Sequence, residues 1–214
     1  MIDGAYGQVL SFVIVLVMIL VSMTLHELMH GVAAYWLGDD TAKNDGRLSL
    51  NPLKHLDPIY SVLVPVLLYI MGGPIFGGAK PVPVDSSKLK YGRAWGMAVV
   101  AVAGPLTNLI LAYLGFLLWY FAGNGIVMIM GQLMLSVNLG FACFNILPIP
   151  PLDGSRILYA IAPDGVREFM NRLEYSMGTI LVYVLILVFG GVISGVLAGM
   201  INGVVQFFLW TVGA

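Results

Sequence analysis

The stretch SMTLHELMHGVAAYW, Ser22 to Trp36, sets two imidazoles and a carboxylate (His26, Glu27 and His30) into a run that is otherwise almost wholly apolar. The apolar sequence around it starts at Val9 and stays helix-compatible to Leu37, where Gly38, Asp39 and Asp40 close it. That length exceeds the roughly 20 residues a helix needs to cross a bilayer. Ionisable side chains inside such a segment are costly and are functional by default. The whole chain of 214 residues has only three histidines and three glutamates, so this grouping calls for a chemical reason.

Composition sets the class. Hydrophobic residues make up 59% of the chain, charged residues 10%, and the mean hydropathy is +0.94. A soluble domain carries about 25% charged residues, so the chain reads as an all-α polytopic membrane protein with four to six spans. We expect one membrane-embedded domain over 1–214, its core at about 9–160 and its C-terminal helices at 165–214. The net charge of −1 gives no sign of a nucleic-acid partner. Cys143 is the only cysteine, in an apolar run, and has no intrachain disulfide partner. Residues 1–8 lack Lys and Arg, the basic start a secretory leader needs, so the first apolar stretch is expected to be a retained helix.

Further along, Ile59–Met71 is apolar but short for a crossing, which suggests a re-entrant segment. GGPIFGGAKPVPV, residues 72–84, is too rich in Gly and Pro for a helix and reads as extended. Trp95–Phe121 and Ile126–Ile146 are spans joined by Ala-Gly-Asn-Gly, which predicts an antiparallel helical hairpin. Met177–Phe189 and Val192–Trp210, split by Gly190-Gly191, are compatible with two short spans or one broken helix. All ten basic residues fall in three stretches: 43–54, 80–93 and 156–172. If 59–71 is re-entrant, all three face one side, and the turn at 122–125 faces the other with none. The positive-inside rule then makes the charged side cytoplasmic, and places the His pair toward the cytoplasmic end of the first helix.

His-Glu-x-x-His on a helix aligns two imidazoles one turn apart on one face. Both reach a single zinc ion, and the Glu between them is placed to take a proton from the water that zinc activates. The competing reading is a polar patch satisfied by neighbouring helices. Catalytic zinc needs a third protein ligand. Six residues beyond His30 stands Trp36, not histidine, and the next glutamate is Glu168. His55 and the aspartates remain. Among these Asp153 stands out, because Pro148, Pro150 and Pro151 end the preceding helix and Gly154 permits a turn. As an alternative, Asp153 would cap the helix that follows, and His55 would be an ordinary loop histidine. Asn108 reads as a helix-packing amide. Asn145 is balanced between packing and stabilising an oxyanion.

Five motifs in this order, HELMH, GRLSLNP, AKPVPV, AGPLTN and NILPIPPLDG, resemble the site-2 protease family (peptidase family M50) of intramembrane zinc metalloproteases over about residues 9–160. The likeness is to small prokaryotic members, with no PDZ or cystathionine-synthase-type domain expected. It implies His26, His30 and Asp153 as ligands of one zinc per chain, Glu27 as catalytic base and Asn145 as an oxyanion or substrate contact. It also implies cleavage of a transmembrane protein substrate at or within its membrane segment, at the cytoplasmic side of the cell membrane. Gly78, Ala79, Lys80 and Val82 are candidates for holding that substrate by strand addition, although Pro81 and Pro83 remove two donors. The alternative of another class is a membrane metal-binding protein or transporter that uses the His pair without proteolysis.

Overall fold

The computed structural model describes residues 5–63 and 78–214. It contains α1 (Ala5–Trp36), a short α2 (Thr41–Asn44), α3 (Gly92–Phe121), α4 (Gly125–Asn145), α5 (Asp153–Ile161), α6 (Asp164–Met177) and α7 (Thr179–Thr211). Among the described residues four helical segments are long and apolar enough to cross a membrane: Leu10–Trp36, Gly92–Phe121, Gly125–Asn145 and Val188–Thr211. The protein is therefore an all-α, multi-pass membrane protein. Its helices start and stop where the sequence carries breakers. Gly38, at φ +104°, ends the α1 turn, and Gly123 and Gly125, both at positive φ, make the tight connection between α3 and α4.

The α3–α4 hairpin is the centre of the bundle, with α1 and α5 both packed against α3. One cluster joins Ala112, Phe116, Leu135, Leu139 and Cys143 of the hairpin to Phe208 of α7. A second joins Ala33, Ala34 and Leu37 at the end of α1 to Leu89 and Val100. Over 179–211 the chain is helical on both sides of a break, where Phe189 leaves helical geometry (φ −116°, ψ 19°) just before Gly190-Gly191. Gly178, at φ +49°, separates α7 from α6.

The connection between α1 and α3 starts and finishes at the same end of the bundle, because Lys90 N–H donates to Leu37 C=O at 2.9 Å. Between them the chain makes a 3-10 turn at Pro52–Lys54 and a π-type turn at Pro58–Leu63. The greater part of the expected re-entrant segment, and the first half of GGPIFGGAKPVPV, lie outside the described residues. The remainder is extended as the Pro content predicts: Ala79 bridges antiparallel to Leu56, and Lys80 N–H donates to His55 C=O at 2.8 Å.

Candidate metal centre

Helix periodicity puts His26 and His30 on one face of α1, where both are buried against α3. The space for them is made by Gly104. A Cβ on that residue would lie 2.4 Å from His30 Nε2 and 2.7 Å from His26 Cε1, so only glycine admits the two rings. Asp153 arrives from the far end of the hairpin. The prolines after Asn145 stop α4, and α5 begins at Asp153 itself. A Cβ on Gly154 would lie 2.0 Å from Ile146 C=O, so the start of α5 packs against the end of α4 more closely than any side chain allows. The Asp153 side chain does not cap its helix; it points at the imidazoles.

Three side chains converge. His26 Nε2 and His30 Nε2 are 3.0 Å apart, Asp153 Oδ2 is 3.1 Å from the first and Asp153 Oδ1 is 3.3 Å from the second. The far nitrogen of each ring is committed. His30 Nδ1 donates to Val100 C=O at 2.8 Å, an atom that can only accept. His26 Nδ1 is 2.5 Å from Asn108 Oδ1 and donates to it. In the neutral rings both Nε2 atoms carry bare lone pairs, directed at each other and at a carboxylate whose buried Oδ2 has no hydrogen-bond partner. Such a triangle of acceptors suits a cation among them.

The donor set fits zinc. Ligand atoms around tetrahedral zinc lie roughly 3.3 Å apart, and the three separations here are 3.0, 3.1 and 3.3 Å. Two neutral imidazoles and a carboxylate, with the outer ring nitrogens hydrogen-bonded, are also the expected chemistry. His26, Glu27 and His30 by themselves offer ligand atoms within 4.8 Å of one another. Glu27 is half-buried beside the pair, and its Oε2 accepts Val82 N–H at 3.2 Å.

The chain is 43% identical to "Putative zinc metalloprotease YwhC" of Bacillus subtilis over 177 residues, 78% of this chain and 77% of that protein. It is 32% identical to "Putative zinc metalloprotease Rip2" of Mycolicibacterium smegmatis over 82% of this chain and 67% of that protein. The chain belongs to this zinc metalloprotease family. A shorter match, 43% over 60 residues, links it to "Putative zinc metalloprotease MJ0611" of Methanocaldococcus jannaschii. No family model and no solved structure matches it.

Within this metalloprotease the other candidates are distributed as follows. His55 is fully buried, with Nε2 on Ser49 C=O at 2.8 Å, and its ring is not part of the convergent group. Asn145 Nδ2 donates back to Phe141 C=O of its own helix at 3.0 Å, leaving one N–H without a partner among the described residues. Gly78, Ala79, Lys80 and Val82 form the extended segment that passes Glu27. Asn108 packs helices, as its sequence context suggests, and it also contacts one of the converging imidazoles, that of His26. That second contact is invisible in sequence, because it links positions 82 residues apart. Asp39, fully buried at the end of α1, was not distinguished by sequence from the acidic loop residues around it; its carboxylate holds Asp85 N–H at 2.7 Å.

Proposed function

We propose that this protein is an intramembrane zinc metalloprotease of the site-2 type, with one zinc per chain, that hydrolyses a peptide bond within or near the transmembrane segment of a membrane-protein substrate. The observation that carries the reading is the triangle of His26 Nε2, His30 Nε2 and Asp153, set in a membrane-spanning bundle next to a half-buried glutamate. His26, His30 and Asp153 would hold the zinc, which when bound supplies Lewis acidity to activate water and polarise the scissile carbonyl. Glu27 serves as general base. Val82 N–H occupies one of its oxygens and leaves the other for the proton it takes from the attacking water. The remaining N–H of Asn145 serves as a donor for the developing oxyanion.

The substrate segment must leave its helical state before a peptide bond is accessible, and the 78–84 segment supplies an extended template. One side of that segment is already used. Gly78 C=O accepts from Ser61, Lys80 N–H donates to His55 and Val82 N–H to Glu27. Ala79 and the carbonyls of Pro81 and Pro83 make no hydrogen bond among the described residues, so this side presents mainly acceptors to an incoming strand. The metal centre lies about eight residues, roughly 12 Å of helix, inside the end of α1 where all the charged stretches gather, which supports a site entered from the cytoplasmic face of the cell membrane.

Purified protein, metal analysis and a single-span substrate test this reading. Glu27→Gln keeps its zinc and loses about 10²–10⁴-fold in cleavage, the range of a general base. Asp153→Ala loses zinc, whereas His55→Ala retains it. Undiminished cleavage by Glu27→Gln overturns the assignment.

A further inference from the structure

The direction of a hydrogen-bond chain is set by any member able to act in only one sense. Met134 C=O on α4 can only accept, and it takes Asn138 Nδ2 at 2.9 Å. Asn138 consequently turns its Oδ1 toward α3, where it accepts Asn108 Nδ2 at 2.9 Å. Ser22 C=O accepts the same amide nitrogen at a longer 3.4 Å. With its nitrogen held on that side, Asn108 presents Oδ1 to His26 Nδ1. That nitrogen must then carry the proton, and Nε2 is left bare. Asn108 and Asn138 are 0% and 1% exposed, so no solvent competes for these groups.

We propose that Asn138 is a positioning residue of the metal centre. Acting through Asn108, it fixes the tautomer and ring orientation of His26 and so presents Nε2 as a ligand. Without Asn138, Asn108 keeps only its weaker partner, Ser22 C=O, and its amide can turn over. A turned amide donates to His26 Nδ1, the ring proton moves to Nε2, and that nitrogen can no longer bind a metal. Asn138 touches neither ligand nor substrate and lies on a different helix from every residue of the triangle.

The metal part of this inference rests on the metalloprotease reading; the tautomer is a property of the metal-free protein and is tested separately. With only three histidines in the chain, ¹⁵N-histidine labelling reports His26 directly. Metal-free wild type is expected to show His26 wholly protonated at Nδ1. Asn138→Leu, close in size but without an acceptor, shows a mixture of the two tautomers. Asn138→Asp as the neutral acid donates its O–H to Met134 C=O, keeps its other oxygen toward Asn108, and restores the wild-type signal. In chelator competition, Asn138→Leu binds zinc about tenfold more weakly, the lower end for residues that orient a metal ligand, and Asn138→Asp stays within about threefold of wild type. If Asn138→Leu does not accumulate, Asn138→Ala removes the same acceptor and is read the same way. Wild-type tautomer and zinc affinity in the Leu or Ala variant overturn the proposal. So does an Asp variant as impaired as the Leu one, which would mark Asn138 as a packing residue. A wild type with the Nδ1–H tautomer that takes no zinc overturns the metalloprotease reading and leaves the relay in place.

Discussion

Gly104 shapes the metal centre by having no side chain. The imidazole edges of His26 and His30 occupy the volume a Cβ would fill, at separations down to 2.4 Å where real contacts stay above about 3.0 Å. Neither ring can retreat, because Asn108 and Val100 hold the outer nitrogens from α3 itself. Gly104→Ala must therefore break at least one of those hydrogen bonds or part α1 from α3. The expected result is zinc affinity at least about tenfold lower, in chelator competition, with little help from the intrinsic helix preference of alanine. The two histidines and the glutamate are legible in sequence, because a spacing of four on a helix is enough to align them. The room they occupy is not, since the glycine that provides it stands 74 residues away from His30 on another helix.

Among the elements, the extended segment past Glu27 is held almost entirely through backbone atoms. Arg47 donates to Lys80 C=O at 2.6 Å, Ser61 to Gly78 C=O at 2.6 Å, and Val82 and Asp85 donate to Glu27 and Asp39. Asp39 also accepts from the backbone and hydroxyl of Thr41, so one buried carboxylate ties the end of α1 to α2 and to this segment. Asp39→Ala leaves three buried or half-buried donors without an acceptor and is expected to cost about 3 kcal/mol. Hydrogen exchange should localise the effect, with faster exchange at Val82, Asp85 and neighbouring amides and little change in the α3–α4 hairpin. Equal acceleration throughout the bundle would show that Asp39 supports the fold as a whole. The sequence indicates an extended conformation here, because alternating Pro and Val exclude a helix. What it is tied to depends on backbone groups, which look the same at every position.

At the scale of the molecule, the ends of α1 and α4 and the start of α3 lie together, joined by the Lys90–Leu37 hydrogen bond and by Asp153 at the His pair. Nine of the ten basic residues belong to the connections at this end and the tenth, Arg93, to the first turn of α3, whereas the 122–124 turn at the other end has none. Single-cysteine labelling in a Cys143→Ser background tests the resulting topology. Asp45→Cys, Lys90→Cys and Arg172→Cys are expected to react with an impermeant reagent from the cytoplasmic side, and Asn124→Cys from the outside. Reaction of Asp45→Cys and Lys90→Cys from opposite sides would mean that the chain between them crosses the bilayer.

The sequence by itself determined that this is a helical membrane protein, where its long spans lie, and that the first of them carries two histidines and a glutamate at the spacing of a zinc site. Those features are local: hydropathy accumulates along a segment, and a helix brings residues four apart onto one face. It singled out Asp153 as the third ligand on the prolines before it and the glycine after it, without excluding His55. Only the tertiary structure decided that Asp153 closes the triangle while His55 is bound to Ser49, that Gly104 provides the space, and that Asn108 and Asn138 set the hydrogen-bond direction at His26. Each of these depends on which helices pack together and at what distance, and that is fixed by the fit of whole surfaces rather than by any short stretch of chain.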